Sequence, residues 1–187
     1  MRRRGAVRLM LGAWVAGGLA FWGTKSHAQN GVSREYQLKA VFLLNFARFT
    51  EWPSSAFENP HAPLVIATLG KNPFNDALED VVRGETVNGR PIAVAHYSSL
   101  ESIEKAHILF ICESESGQIE KLINAFSGKP ILAVSDLENF AVRGGMVRFI
   151  TKNNKIGLRV NLGTLKASQL TMSSKLLRSA ELVGTLD

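Results

Sequence analysis

The sequence predicts a single α/β domain with a mostly parallel central sheet, helices on both faces and an antiparallel hairpin at one edge. Two patterns support this fold class. Short apolar runs alternate with amphipathic segments over most of the chain, as in sheets whose strands are joined by helices. In the last third of the chain, two runs of alternating charged and apolar residues flank the polar turn 152–155. This pattern indicates a hairpin with one solvent-exposed face.

The elements are predicted in chain order. A helix over 33–48 begins at a capping serine and is apolar nearly all round, so it should be largely buried. Four strands are predicted from apolar runs bounded by turn residues, and the hairpin adds two more at 146–150 and 156–160. The four strands are 63–69, 90–97, 107–112 and 130–134, and the helices that follow them in alternation are 74–83, 100–106, 118–126 and 137–142. A final amphipathic helix is predicted over 165–183.

Residues 1–28 are predicted to be a secretory signal peptide. A start rich in arginine precedes an uncharged run over 9–22, and Ser26-His27-Ala28 places small residues where a signal peptidase cuts. The uncharged run falls short of the roughly 20 residues that cross a bilayer. We therefore expect cleavage before Gln29, a periplasmic location and one mature domain over 29–187.

The charge of the mature chain argues against a nucleic-acid partner. The full sequence has 22 Lys and Arg residues against 16 Asp and Glu residues, but five of the basic residues lie within 1–28. The remaining 17 basic residues leave no surplus that could neutralise a phosphate backbone.

No motif in the sequence predicts catalysis, a metal or a cofactor. It has no Gly-rich phosphate loop, zinc-binding helix or nucleophile elbow, and His61, His96 and His107 fall in separate elements. Cys112 is the only cysteine, so an intramolecular disulfide is excluded. We expect a buried thiol, with an intermolecular disulfide or a redox-sensing thiol as the alternative. Polar residues follow several predicted strands, where they could line a ligand crevice or simply belong to solvated loops.

Two stretches carry a family resemblance. The first is 36–53, which ends in Phe-Ala-Arg-Phe-Thr-Glu-Trp-Pro, and the second is Val160-Asn161-Leu162 followed by 170–177, with Ser-Ser-Lys-Leu-Leu at its end. Together with the apolar strands between them, they resemble the YfiR-like family of periplasmic proteins over nearly all of the mature chain.

The resemblance implies a periplasmic repressor rather than an enzyme. Such a repressor binds the periplasmic sensor domain of an inner-membrane protein such as a diguanylate cyclase. An outer-membrane lipoprotein can sequester the repressor. The resemblance does not decide whether the protein forms a homodimer. The alternative function is that of a small-molecule binding domain. The family's best-known member has disulfides, which Cys112 alone cannot form within this chain.

Six residues in the two matching stretches are the candidate contacts for a partner or ligand. Each also has a structural alternative: the tryptophan could pack the first helix onto the sheet, the arginine and glutamate could pair with each other, and the serines could allow close helix packing. The six are Arg48, Glu51, Trp52, Ser173, Ser174 and Lys175.

Overall fold

The computed structural model describes residues 26–153 and 155–184, over which five α-helices and ten strands follow one another. The helices are α1 (Ser26–Phe49), α2 (Ala77–Val82), α3 (Ile119–Phe126), α4 (Leu162–Ala167) and α5 (Ser174–Leu177). The strands are β1 (Thr50–Glu51), β2 (Leu64–Leu69), β3 (Thr86–Val87), β4 (Arg90–Tyr97), β5 (Ile108–Ile111), β6 (Leu132–Ser135), β7 (Val147–Lys152), β8 (Lys155–Asn161), β9 (Thr171–Met172) and β10 (Ala180–Val183). Short 3-10 turns lie at Ser54–Ala56, Leu100–Ser102 and Glu113–Gln118.

Eight of the strands form one mixed sheet in the order β10–β8–β7–β6–β5–β2–β4–β3. The five inner strands are parallel to one another, in the order β4, β2, β5, β6 and β7. The short strand β3 pairs antiparallel with β4 at the far edge. The chain passes from β2 to one side and then to the other, so the strand order reverses between β2 and β5, as in doubly wound folds. Strands β7 and β8 form the predicted antiparallel hairpin, and β10 adds a parallel strand outside it. The predicted fold class is confirmed.

Helices cover both faces of the sheet, and each face has its own apolar core. On one face, α1 buries Leu43 and Phe46 against the strands, where the ring of Phe46 stacks on that of Phe149 at 5.7 Å between centroids. On the other face, α3 packs Leu122 and Phe126 over β5 and β6. The inner strands were predictable because residues buried on both faces read as continuous apolar runs. The prediction that the first helix is largely buried was too strong, because the side chains of Leu38 and Val41 are 45% and 43% exposed.

The predicted C-terminal helix over 165–183 is wrong. Asn161 caps α4 by accepting a hydrogen bond from the amide of Thr164 at 3.0 Å, and Gln169 then ends it with a left-handed φ of 56°. The chain continues as β9, α5 and β10. The apolar positions of the predicted helix are still buried, namely Leu165, Met172 and Leu176. In place of one continuous helix, however, β9 pairs with β1 and β10 pairs with β8.

Two shorter helix predictions also fail. The segment 137–142 consists of turns, with Asn139 at a left-handed φ of 59°, and 100–106 contains only the 3-10 turn Leu100–Ser102. The predicted helix 74–83 is shorter in the structure, as α2. Each of these segments carries an apolar pattern that suits a helix, but too few residues to hold one without further contacts.

The predicted signal peptide lies outside the described residues except for 26–28, which belong to α1. Within the described part of the chain, no helix combines the length and the apolar character that crossing a membrane requires.

Candidate functional site

The two stretches that carry the family resemblance meet in a small sheet of their own, made by β1 and β9. The strands are antiparallel, with Glu51 opposite Thr171. Beyond the pair, the amide of Ser173 donates to the carbonyl of Phe49 at 2.8 Å, and the ammonium of Lys175 lies 5.4 Å from the centre of the Phe49 ring. We call this pair of strands with the flanking residues 48–52 and 173–175 the β1–β9 ribbon. It brings all six candidate residues into one region.

Three of the candidates present charged side chains to solvent on the ribbon. Glu51 and Lys175 are exposed, and Arg48 is exposed while paired with Glu85. The alternative that Arg48 pairs with Glu51 is therefore wrong, since the Arg48 guanidinium contacts the Glu85 carboxylate instead. The ribbon carries both signs of charge, which suits recognition of a protein surface more than of a single small ion.

The structure explains why two serines stand at positions 173 and 174. In the expected long helix they would have been unfavourable interior residues. Ser173 is the N-cap of α5, and its hydroxyl accepts a hydrogen bond from the amide of Lys175 at 3.3 Å. Ser174 is the first residue of α5 and is exposed. The serines therefore begin a helix rather than interrupt one, and the hydroxyl of Ser174 faces solvent beside Lys175.

Trp52 has a different role from the charged candidates. It is half-buried against the core, and its Nε1–H donates to the carbonyl of His107 at 3.2 Å, at the entry to β5. This placement of Trp52 against the core favours the structural alternative for the residue over a role as a partner contact. The tryptophan fixes the ribbon to the sheet.

His107 anchors the same corner. Its Nδ1 accepts from the amide of Val65 at 2.9 Å, its Nε2–H donates to the carbonyl of Ala56 at 3.1 Å, and its ring stacks on Phe57 at 4.4 Å. The pKa of this imidazole is lowered to about 4, mainly by burial and to a smaller extent by the nearby cations of Lys105 and Arg90, while the hydrogen bond to Ala56 opposes the shift. His107 is thus a neutral structural residue at ordinary pH.

We expect His107 to make the fold sensitive to acid. Its folded-state pKa of about 4 lies below the ordinary 6.5, so the unfolded chain takes up the proton first as the pH falls. The free energy of unfolding should decline from pH 6.5 to pH 4 by about 3 kcal/mol from this residue. Urea unfolding of His107→Gln should lose most of this slope, whereas the exposed His61→Gln should keep it. Equal slopes in all three proteins would contradict the assignment.

The crevice where doubly wound folds usually bind ligands is filled by the protein itself. At the carboxyl ends of β2 and β5, the hydroxyl of Ser114 accepts from the amide of Lys71 at 2.9 Å and donates to the carboxylate of Glu115 at 3.0 Å. A Cβ atom at Gly70 would lie 2.3 Å from the Ser114 oxygen, so only glycine fits there. Of the two alternatives for these strand ends, a ligand crevice is therefore disfavoured between β2 and β5, where the protein's own side chains fill the space.

A charged cluster beside this crevice was missed by the sequence analysis. The side chain of Lys39, on α1, is only 2% exposed, and its ammonium lies 2.6 Å from Glu35 and 2.7 Å from Asp136 at the end of β6. The hydroxyl of Tyr36 donates to the same Asp136 oxygen at 2.8 Å. The signal in the sequence was a lone lysine among the apolar residues of the first helix.

The cluster borders a cleft of about 460 Å³ that also includes Glu113, Glu138 and Arg148 in its lining. Burial opposes ionisation of Glu35, but hydrogen bonds from Lys39 and Thr151 outweigh it and hold the pKa of the Glu35 carboxyl below its ordinary range. Among the described residues, no group of three or more His, Cys, Asp and Glu side chains is arranged to bind a metal ion. Cys112 is fully buried, and burial raises the pKa of its thiol to about 12, so it is unreactive.

The comparisons with known proteins give the family. A search of curated proteins found no match. The family model described as YfiR/HmsC-like matches residues 36–181, which include the β1–β9 ribbon, the hairpin and every strand of the central sheet up to the start of β10. The match covers most of the chain and contains both of the stretches that carried the resemblance, so this protein belongs to the YfiR/HmsC-like family.

Proposed function

We propose that this protein represses a membrane sensor protein, with a diguanylate cyclase as the expected partner, by binding the sensor's periplasmic domain and favouring its inactive state. Its family consists of periplasmic regulators of cyclic-di-GMP signalling. In this proposal a signal peptide cleaved before Gln29 delivers the chain to the periplasm, no reaction is catalysed, and an outer-membrane lipoprotein can compete for the regulator.

The observation that supports contact with a protein is the β1–β9 ribbon. It joins the two family stretches across the chain and presents Glu51, Ser174 and Lys175 to solvent, while Trp52 and Ser173 hold its backbone in place. A preassembled surface with charges of both signs loses little conformational entropy on binding. Repression then needs only a difference in affinity between two partner states, and a 100-fold preference corresponds to about 2.7 kcal/mol.

Deleting the gene should raise cyclic-di-GMP and biofilm formation, because a sensor cyclase would lose its repressor. The measurement is cyclic-di-GMP in cell extracts of wild type, deletion strain and a strain that also lacks the cyclase, in which the rise should disappear. Complementation with Lys175→Glu should restore repression poorly, whereas Lys129→Glu, an equal charge change on an exposed lysine after α3, should restore it fully. Unchanged cyclic-di-GMP in the deletion strain, with the protein expressed in wild type, would contradict the proposal.

A small ligand is the second candidate, and the observation in its favour is the cleft beside Lys39. The closed crevice at Gly70 argues against a ligand between β2 and β5, so the cleft is where a ligand would bind. A thermal-shift screen tests this function, because a ligand at 100 times its Kd stabilises the fold by about 2.7 kcal/mol.

A further inference from the structure

Charge is divided unevenly between two segments of the chain, 34–142 and 143–184. The segment from 143 to 184 has eight basic residues and one acidic residue, whereas the segment from 34 to 142 has nine basic and 14 acidic residues. The basic segment contains the β7–β8 hairpin, α4, α5 and β10, which together form one end of the central sheet. The fold therefore concentrates positive charge at this end.

The hairpin places like charges directly opposite each other twice. Arg148 is opposite Arg159, and Lys152 is opposite Lys155. Residues opposite each other in an antiparallel pair share a face, and alternate residues along a strand share it too, so all four cations lie on one face. Like charges in directly opposed positions destabilise a sheet. This arrangement is unfavourable for the isolated fold.

The positive face is only partly compensated within the protein. Arg159 pairs with Glu181 at 2.9 Å, and no other ion pair of these four cations is present among the described residues. The Nε–H groups of Arg148 and Arg159 are shielded from solvent and make no hydrogen bond in the described part of the chain. These two buried donors therefore have no acceptor within the described part of the chain, and the exposed cations of the face are the ammonium groups of Lys152 and Lys155.

The centre of the face is open and apolar. Ile150 lies opposite Gly157, between the two pairs of cations. A Cβ atom at Gly157 would have only the carbonyl oxygen of Ile150 near it, at 3.7 Å, so packing does not require a glycine there. Because Gly157 has no side chain, the side chain of Ile150 stays partly exposed between the two pairs of cations.

We propose that this face, formed by Arg148, Ile150, Lys152, Lys155, Gly157 and Arg159, docks an acidic segment of a partner protein. The arginine fork pairs with carboxylates through two parallel hydrogen bonds, and the open centre admits an apolar side chain between them. The inference rests on the proposed function, because it names the chemistry of the partner and adds a second contact surface to the β1–β9 ribbon.

The test uses fluorescein-labelled poly-L-glutamate and the purified protein. Lys152→Glu/Lys155→Glu should weaken binding by about tenfold or more, because two of the four cations become anions. The matched control is Lys71→Glu/Lys129→Glu, which changes two exposed lysines elsewhere by the same total charge and should weaken binding by less than about threefold. Equal weakening by the two variants, or no binding by the wild-type protein at low salt, would overturn the proposal.

The single variant Lys152→Glu separates docking from packing. It converts an opposed like-charge pair into an opposite-charge pair, so the midpoint of thermal unfolding should rise while binding of poly-L-glutamate falls. A fall in both quantities would mean that Lys152 supports the fold rather than a partner, and would overturn the proposal for that residue.

Other occupants have distinct outcomes. Preference for heparin or anionic lipid vesicles over poly-L-glutamate at equal charge would overturn the proposal in favour of a sulfate or phosphate ligand. Wild-type dimers that Lys152→Glu/Lys155→Glu dissociates would overturn it in favour of a second copy. Selective binding of poly-L-glutamate in a protein whose deletion leaves cyclic-di-GMP unchanged supports the docking surface while the proposed function fails. Full repression by Lys152→Glu/Lys155→Glu in the deletion strain would instead remove this face from the proposed function.

Discussion

Replacing Asp136 by alanine should lower the free energy of unfolding by about 3 kcal/mol. The Asp136 carboxylate accepts hydrogen bonds from both Lys39 and Tyr36, and the ammonium of Lys39 is buried on α1. Without Asp136 the ammonium keeps only Glu35, which is partly exposed, and the tyrosine hydroxyl loses its acceptor. A buried cation that loses a partner costs more than the pair contributed when intact.

The control for this prediction is a double variant. Lys39→Met/Asp136→Ala removes the buried charge together with its partner, so it should be more stable than Asp136→Ala alone, although it has one more substitution. Urea unfolding of the wild type, both single variants and the double variant gives the coupling free energy between the two sites. Additive losses would contradict the buried ion pair as the cause.

Trp52→Ala should destabilise the fold by about 3 kcal/mol, at the lower end for a large aromatic residue because the side chain is only half-buried. The variant loses packing against the core and the hydrogen bond to the His107 carbonyl, which anchors the ribbon at the entry to β5. Trp52→Phe keeps one aromatic ring but loses the N–H donor and the rest of the indole, so its cost should be smaller than that of Trp52→Ala, about 1–2 kcal/mol.

Fluorescence gives an independent measurement at the same residue. In a chain that begins at Gln29, Trp52 is the only tryptophan. Its native emission should be blue-shifted and should move to the red on unfolding, since the indole lies against the core. Red-shifted emission from the folded protein, or wild-type stability of Trp52→Ala, would make Trp52 a contact for the partner instead.

The parallel core was predictable because its signal is local. Ile108–Ile111 is buried throughout, and such a strand reads as an apolar run without knowledge of its neighbours. The end of the chain was not predictable in this way. Leu165, Met172 and Leu176 suit a helical period, yet the partners that decide their structure are β1 and β8, far away in the sequence. Two-residue strands such as β1 and β9 leave no periodic signal at all.

The same difference between local signals and contacts of distant residues applies to the candidate site. Family resemblance grouped the two stretches, but neither stretch alone indicates that Phe49 bonds to Ser173. The chemistry of Lys39 and Asp136 was missed because a lysine in an apolar helix and an aspartate after a strand each have an ordinary explanation. Only the three-dimensional contact of 2.7 Å between them makes a buried ion pair.

The β1–β9 ribbon also has a consequence for the order in which the molecule is completed. It joins Thr50 to Met172, so about 120 residues must be synthesised after β1 before its partner strand exists. Loop-closure entropy rises only with the logarithm of this separation, but contacts so distant in sequence form slowly. The ribbon therefore forms only after residue 172 has been synthesised, and a chain truncated before β9 lacks it. A chain that stops before β9 would carry only the 48–52 half of the surface proposed above for partner contact.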